Sequence, residues 1–318
     1  MATSAAALLL GLVMLVAGAE LVVRQGTALA ARFGVSPLVV GMTVVSLGTS
    51  LPELAIGINA AHQGNAGLAV GNIVGTNLVN VLLILGLSAL IRPVSFERRT
   101  LRVDLPVMTG AAVLLLVLAL DGSLTSADGV WLCGYGAAYL ALMVVHAKRS
   151  SATGEDAPAG EARARPVAVQ VVLLVVGLAV IVVGAEFLVD GAVSIARIRG
   201  ASDTVIGLTV VAIGTSAPEL VTTIVSTARG GDRSLALGNL LGSSVFNIAL
   251  ILGPTVIAAP GAVPVPSDVL ALDMLLMVTT ALVCVPAFFT HRRLTRGEGG
   301  AFVAAYVLYT TWLIMTRL

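Results

Sequence analysis

The chain contains one short sequence twice, and each copy carries a glutamate inside a long apolar run. The first copy, residues 41–54, reads GMTVVSLGTSLPEL, and the second, residues 207–220, reads GLTVVAIGTSAPEL. A carboxylate at the centre of a membrane-spanning helix costs about 2.5–3.5 kcal/mol or more. A duplicated glutamate at this depth therefore predicts a functional site.

The composition is that of a membrane protein. Hydrophobic residues make up 58% of the 318 residues and charged residues 11%, whereas soluble domains carry about 25% charged residues. Apolar runs of spanning length predict an all-α integral membrane protein with ten transmembrane helices, the first of which is retained because no signal-peptide cleavage site follows it. The runs lie at residues 5–23, 36–60, 66–91, 103–120, 129–146, 167–189, 204–228, 235–259, 268–288 and 299–316.

The two halves of the chain repeat each other. Glu219 follows Glu53 by 166 residues, and the helix that begins GNIVGTNLVN at position 71 has a counterpart, GNLLGSSVFN, at position 238. We therefore expect residues 1–147 and 167–318 to form two five-helix repeats, joined by the polar linker 148–166. Because five is odd, the second repeat enters the membrane from the opposite side, as in many secondary transporters.

The distribution of basic residues predicts the orientation. Fifteen Lys and Arg residues fall in the loops after helices 1, 3, 5, 7 and 9, against three on the other face. Since positive residues accumulate on the cytoplasmic side, we expect the linker to be cytoplasmic and both termini outside. A prokaryotic inner (plasma) membrane is the predicted location. We expect the acidic residues near predicted helix ends to reach towards water: Glu20, Glu186, Asp104 and Asp273.

The repeated sequence supplies oxygen ligands. Residues three, four and seven apart share a helix face, and this spacing aligns two equivalent sets, Ser46, Thr49, Ser50 and Glu53, and Ala212, Thr215, Ser216 and Glu219. Pro52 and Pro218 have no N–H to donate, so they leave carbonyls near Thr49 and Thr215 without helical partners. In lipid, such a carbonyl requires water or a cation in place of the missing donor.

Helices 3 and 8 carry a complementary polar stripe. Its members are Asn72, Thr76 and Asn80 in the first half and Asn239, Ser243 and Asn247 in the second. The glycines beside them, Gly71, Gly75, Gly238 and Gly242, predict close approach of a neighbouring helix. We expect Asn72 and Asn239 to bond between helices, and Asn80 and Asn247 to face the glutamates.

A site built from oxygen atoms favours hard cations such as Na⁺ and Ca²⁺. The predicted spans contain no Lys or Arg to pair with the glutamates. They also offer no His or Lys inside a span to activate Ser50 or Ser216 as a nucleophile. The sequence therefore predicts a protein that binds cations and is not an enzyme, with no cofactor and no nucleic-acid partner.

These motifs closely resemble the two alpha repeats of the calcium/cation antiporter superfamily, and in particular its prokaryotic sodium/calcium exchangers. The resemblance implies that Ca²⁺ binds both glutamates and the carbonyls of Thr49 and Thr215. It also implies Na⁺ sites formed by the two glutamates together with Ser50, Ser216, Thr76, Ser243 and the carbonyls of Ser46 and Ala212. The amides of Asn80 and Asn247 would complete the centre. Helices 1 and 6 would slide as a pair. Some relatives have Asp at the position of Asn247, which bears on K⁺ dependence and proton coupling.

The expected function is Na⁺/Ca²⁺ antiport by alternating access, exporting Ca²⁺ with the inward Na⁺ gradient. An H⁺-coupled or K⁺-dependent cation antiporter of the same fold is an alternative, and a cation channel a more distant one. The expected partners are membrane lipids and the two ions, and a monomer would suffice for transport. The oligomeric state is not predicted.

Overall fold

A computed structural model describes residues 2–62, 66–152, 166–198, 212–228 and 234–317. These residues are mainly helical, and among them seven helices are long and apolar enough to cross a membrane. They are Thr3–Phe33, Gly67–Ile91, Thr100–Leu118, Ser126–Val145, Val167–Ile195, Ser234–Ala258 and Arg296–Thr316. The helical membrane class is confirmed. The count of ten stays a prediction, because one expected span is broken at Ser50, another is shorter, at Val269–Val285, and a third lies partly outside the described residues.

The first half begins with a long helix and continues through shorter helical pieces. Its helices are α1 Ala2–Phe33, α2 Pro37–Val40, α3 Ser46–Thr49, α4 Leu51–His62, α5 Ala66–Leu78, α6 Gly86–Ile91, α7 Leu105–Leu118 and α8 Ser126–Ala152. Three π-helical segments connect or precede them: Gly41–Val45, Val79–Leu85 and Thr100–Asp104. Two short strands lie between the later helices: β1 Val94–Ser95 and β2 Ser123–Leu124.

The described part of the second half has the same order of elements. Its helices are α9 Val167–Ile198, α10 Ala212–Thr215, α11 Ala217–Ala228, α12 Ser234–Phe246, α13 Gly253–Ala258, α14 Leu275–His291 and α15 Arg296–Arg317. Its π-helical segments are Asn247–Leu252 and Val269–Met274, and its strands are β3 Val263–Pro264 and β4 Arg293–Leu294. Most of the predicted linker, residues 153–165, lies outside the described residues, and α8 continues through its first positions to Ala152.

Helices α1 and α9 are longer than the apolar runs that predict them, with 32 residues each. At 1.5 Å per residue, such a helix is about 48 Å long, whereas the hydrocarbon core is about 30 Å thick. The apolar run marks only the part of the helix in hydrocarbon, because a helix continues into the interface where its backbone hydrogen bonds are intact.

Glycines bring α1 and α9 into close antiparallel contact. A Cβ atom on Gly11 would lie 2.6 Å from the carbonyl oxygen of Gly184, and one on Gly18 would lie 2.8 Å from that of Gly177. These two contacts exchange under the repeat, since Gly177 is the counterpart of Gly11 and Gly184 that of Gly18. At the helix ends, the hydroxyl oxygens of Ser4 and Ser194 lie 2.8 Å apart.

The short strands also pair across the two halves. Val94 and Ser95 of β1 pair antiparallel with Leu294 and Arg293 of β4. Ser123 and Leu124 of β2 pair in the same way with Pro264 and Val263 of β3. Each pair joins a loop of one half to a loop of the other, so the loop before α7 meets the loop before α15, and the loop before α8 meets the loop that follows α13.

Apolar side chains form two separate clusters. The larger one gathers residues of α5, α7, α8, α12, α14 and the π-helical segments between them, and includes Ile73, Leu115 and Phe246. The smaller one surrounds the contact of α1 with α9, and includes Leu15 and Ile181. The α1–α9 pair therefore lies outside the larger cluster, and the smaller one also receives residues from neighbouring helices, among them Ala217 and Leu235.

The expectation that Asp104 and Asp273 reach towards water is wrong. Their residues are 0% and 5% exposed, and each carboxylate accepts a hydrogen bond from a tyrosine hydroxyl. Tyr139 donates to Asp104 over 3.2 Å, and Tyr309 donates to Asp273 over 3.0 Å. Contact with another helix thus brings a hydrogen-bond donor to each carboxylate inside the protein, an arrangement that spacing along one helix does not reveal.

We expect Gly11→Ala to destabilise the protein. The added methyl group would meet the backbone nitrogen of Leu188 at 2.5 Å, and overpacking of this kind costs about 1–3 kcal/mol. The matched control is Gly134→Ala, since a Cβ atom there meets no described residue within 4 Å. The midpoint of thermal unfolding in detergent, followed by tryptophan fluorescence, should fall for the first variant only. Equal midpoints would contradict close packing of α1 on α9.

We expect Tyr139→Phe to lower the free energy of unfolding by about 1.5–3 kcal/mol, the contribution of a hydrogen bond to a charged group. The control is Tyr135→Phe, which removes a 2.7 Å bond to the neutral carbonyl of Val107 and should cost about 0.5–1.5 kcal/mol. Unfolding in mixed micelles measures both. A smaller loss for Tyr139→Phe than for Tyr135→Phe would show that the bond to Asp104 contributes little.

Candidate functional site

The two repeated sequences form helix breaks. Helix α3 ends at Thr49, Ser50 has φ −86° and ψ 8°, and α4 begins at Leu51. In the second half, α10 ends at Thr215 and α11 begins at Ala217. Each proline is the second residue of the new helix, in the first turn, where proline is tolerated. The bend that the prolines predict is thus a break of one residue, and the backbone N–H groups of Ser50 and Leu54 still donate to the carbonyls of Ser46 and Ser50.

The break gives each glutamate a favourable electrostatic position. Glu53 and Glu219 both lie in the first turn of the helix that follows the break. The N-terminus of a helix carries partial positive charge, which stabilises a carboxylate, while the C-terminus of the preceding helix presents carbonyl oxygens. Each half therefore places a carboxylate beside the carbonyl end of a short helix.

Both glutamates are completely buried, at 0% exposure. Within the described part of the chain, neither oxygen of Glu53 has a hydrogen-bond partner, nor has Oε2 of Glu219. The two side chains are close enough for the charge of Glu219 to act on the Glu53 carboxyl. A buried carboxylate without a partner is costly, so the site favours a positive charge between the two.

Hydroxyl groups connect the halves at this point. Ser50 Oγ donates to Ser243 Oγ over 3.5 Å, and Ser243 Oγ donates to Glu219 Oε1 over the same distance. The hydroxyls of Thr49 and Ser50 also lie near the Glu219 carboxylate. The residues around the Glu219 carboxylate therefore come from both repeats.

The predicted amides are buried near the middle of their helices. Asn80 and Asn247 are 1% and 0% exposed. Each lies at the start of a π-helical segment: Asn80 is the second residue of one, and Asn247 is the first residue of the other. Among the described residues, neither their amide nitrogens nor their amide oxygens have hydrogen-bond partners. π-Helical turns often mark functional positions, and the unpartnered oxygens are available to a cation.

The other predicted residues have more varied surroundings. Thr76 and Thr215 are buried, at 3% and 6% exposure, and Ser216 is buried completely. Ala212 begins α10, and its side chain lies outside the described residues. Ser46 donates its hydroxyl to the carbonyls of Gly41 and Asn239, over 2.8 and 2.9 Å, and so ties the first half to α12.

The expected hydrogen bond of Asn239 crosses between the halves, because its Oδ1 accepts a bond of 3.1 Å from the Thr49 hydroxyl. Close approach is present at two of the four predicted glycines: a Cβ atom on Gly238 would collide with the carbonyl of Leu38, and one on Gly242 with Ser46 Oγ. Gly71 has no neighbour nearer than 3.9 Å and Gly75 none within 4 Å among the described residues. The counterparts of Leu38 and Met42, residues 204 and 208, lie outside that part of the chain.

Sequence reasoning missed a set of buried hydroxyls on α11, at Thr222, Thr223, Ser226 and Thr227. They follow Glu219 at helical spacing, which is the signal that could have found them. Among the described residues, no group of three or more His, Cys, Asp or Glu side chains comes together. The acidic part of the site is thus the glutamate pair, and the remaining oxygens come from hydroxyls, amides and backbone.

Comparison with known proteins agrees with this construction. Over 338 residues the chain is 35% identical to the sodium/calcium exchanger MaX1 of Methanosarcina acetivorans, covering 95% of this chain and 96% of that one. It is 35% identical to the inner membrane protein YrbG of Escherichia coli, covering 99% and 97%. A solved structure of the sodium-calcium exchanger NCX_Mj, soaked with Na⁺ and Sr²⁺, superposes with a TM-score of 0.84 at 32% identity, covering 97% and 98%.

The match to the sodium/calcium exchanger protein family extends over residues 3–145 and 169–315. These ranges include both helix breaks, both glutamates and both amide-bearing helices, and leave out the predicted linker. The chain is therefore an integral membrane protein of the sodium/calcium exchanger family, within the calcium/cation antiporter superfamily.

Proposed function

We propose that this protein exchanges Na⁺ for Ca²⁺ across the membrane by alternating access, and exports Ca²⁺ with the inward Na⁺ gradient. The observation that carries the proposal is the pair Glu53 and Glu219, completely buried and without basic partners in the described part of the chain. The two negative charges of the carboxylates neutralise one Ca²⁺, and they neutralise two Na⁺ ions equally well. The two cations would therefore compete for one set of oxygens, as coupled exchange requires.

The ligands follow from the geometry and the family. Ca²⁺ takes six to eight oxygen ligands, and both carboxylates with the carbonyls of Thr49 and Thr215 would supply the first of these. Na⁺ would use the hydroxyls and carbonyls around them, with Asn80 and Asn247 completing the centre. These further Na⁺ ligands are Ser50, Ser216, Thr76, Ser243 and the carbonyls of Ser46 and Ala212.

The proposed architecture has ten helices in two inverted repeats, residues 1–147 and 167–318. Two observations support inversion. The equivalent helices α1 and α9 run antiparallel, with glycine contacts that exchange under the repeat. By their place in the repeat, β3 is the counterpart of β1, and β4 is the counterpart of β2. Strand β1 pairs with β4, and β2 pairs with β3. Equivalent loops thus belong to different pairs, as expected if they lie on opposite faces.

Alternating access would use the separate packing of the α1–α9 pair. Its apolar cluster is distinct from the larger one, so the pair could slide without disturbing the larger cluster. Both halves of the binding site belong to one chain, and a monomer would therefore suffice.

The proposed orientation in the membrane follows from the basic residues, and the proposed membrane follows from a related protein. The β1–β4 pair lies among Arg92, Arg98, Arg293 and Arg296, whose side chains are exposed. This face would be cytoplasmic, with the linker 148–166 on the same side and both termini outside. The Escherichia coli relative is an inner membrane protein, and we place this chain in the corresponding membrane.

Replacement of either glutamate tests the function. In proteoliposomes, Glu53→Gln and Glu219→Gln should abolish Na⁺-driven ⁴⁵Ca²⁺ flux, because each removes one of the two charges that bind the ion. Glu97→Gln is the control, since Glu97 is an exposed residue outside the site. Flux at the wild-type level in either site variant would end the assignment.

The same vesicles identify the coupling ion when Na⁺, K⁺ and H⁺ gradients are imposed separately. Calcium movement driven by Na⁺ alone is the expected result. Movement driven by a pH gradient without Na⁺ would indicate the proton-coupled alternative, and unitary currents would indicate a channel.

Pro52→Ala should weaken equilibrium binding of Ca²⁺ by roughly tenfold. The new N–H would donate to the carbonyl four residues earlier, straighten the break and withdraw oxygens from the site. Pro106→Ala is the control, because Pro106 lies in the continuous helix Thr100–Leu118, outside the two repeated sequences. Radioactive calcium binding to purified protein measures both variants, and unchanged affinity in Pro52→Ala would show that the break is not needed for binding.

A further inference from the structure

A row of hydroxyl groups extends from Glu219 along α11. Thr222, Thr223 and Ser226 follow the glutamate by three, four and seven residues, so they lie on the face that carries it. Their exposures are 0%, 1% and 2%. Val221 and Val225, on the other side of this helix, pack against the α1–α9 cluster. The helix therefore has a polar face in a fully buried setting.

These three hydroxyls have no hydrogen-bond partner in the described part of the chain. Other buried hydroxyls here follow a different rule: Thr109, Ser244 and Thr255 each donate to the carbonyl four residues earlier. That bond is the usual solution for Ser and Thr in membrane helices. Because Thr222, Thr223 and Ser226 lack this bond, their hydroxyl oxygens are available to a mobile ligand.

The row leads from the glutamates to one face of the protein. At its far end, Thr227 Oγ1 lies 2.9 Å from Ser88 Oγ in α6, the helix that continues into β1. From Glu219 to Thr227 the rise along the helix is about 12 Å, close to half of the roughly 30 Å hydrocarbon core. The row thus has the length needed to join a central site to the β1–β4 face.

The other half of the chain lacks this feature. The counterparts of Thr222, Thr223, Ser226 and Thr227 are Ile56, Gly57, Ala60 and Ala61. At Gly57 the helices are in close contact, since a Cβ atom there would lie 2.7 Å from Thr255 Oγ1. The hydroxyl row is therefore not a by-product of the duplication.

We propose that Thr222, Thr223 and Ser226 form the hydrated route by which a cation passes between Glu219 and the β1–β4 face, and that this route is closed in the present structure. The inference rests on the proposed transport function and adds a passage to its site. A cation leaving the carboxylates must regain water step by step, and hydroxyl oxygens can replace missing waters in its shell. Apolar side chains at these positions would instead leave the ion without ligands.

The first test measures rate against affinity. The double variant Thr222→Val with Thr223→Val preserves side-chain shape and removes both hydroxyls. Its Ca²⁺ turnover in proteoliposomes should fall by about tenfold, while its equilibrium Ca²⁺ affinity stays within about twofold of wild type. Thr109→Val is the control, because its hydroxyl is also buried but bonds to backbone carbonyls, and its turnover should be unchanged. Wild-type turnover in the double variant would overturn the proposal.

The second test measures access from each side. Cys133 and Cys284 are replaced by Ala, and Ser226→Cys is treated with a membrane-impermeant cationic methanethiosulfonate reagent in intact cells and in inside-out vesicles. Ser95→Cys in β1 and Asp121→Cys before β2, both exposed positions, mark the two faces. Ser226→Cys should react only from the Ser95 side, and added Ca²⁺ or Na⁺ should change its rate. Thr109→Cys should not react.

Reaction of Ser226→Cys only from the Asp121 side, or from neither side in any ion condition, would contradict the route. The labelling result does not depend on which ions are transported. Labelling from the Ser95 side in a protein without Na⁺-driven Ca²⁺ flux would therefore retain the route and reject the proposed function.

Discussion

Two carboxylates held in a membrane without a basic partner are the constraint around which this protein is organised. Glu53 and Glu219 are fully buried, and the described residues around them are hydroxyls, amides and the termini of short helices. Such a pair is unfavourable by itself, since each charge loses its hydration and repels the other. A bound cation would remove both costs at once, which is why we propose this arrangement as a binding site.

The interrupted helices show how the backbone meets this constraint. Pro52 and Pro218 are the second residues of new helices, and the preceding helices end at Thr49 and Thr215, four residues before the glutamates. Hydrocarbon tolerates irregular backbone only where protein or a polar cavity surrounds it. The bond from Ser46 to Asn239 and the close packing at Gly242 provide that surrounding protein.

Duplication doubles the binding elements without making the two halves identical. The contacts of Gly11 and Gly18 with α9, and the tyrosine bonds to Asp104 and Asp273, occur in equivalent positions of both halves. The hydroxyls of α11 have no equivalent in α4. The symmetric features belong to the framework, whereas the asymmetric one makes the two halves chemically different beside the glutamates.

The sequence by itself determined the membrane class, the repeat, the helix breaks and the candidate ligands, because apolar length, residue spacing and proline chemistry are local properties. It did not reveal that Asp104 pairs with Tyr139, that Thr49 bonds to Asn239, or that the α11 hydroxyls lack partners. Those facts depend on which helices meet and at what height. Only the tertiary structure decides this, since apolar helices can pack in many ways and a few glycines and polar groups select among them.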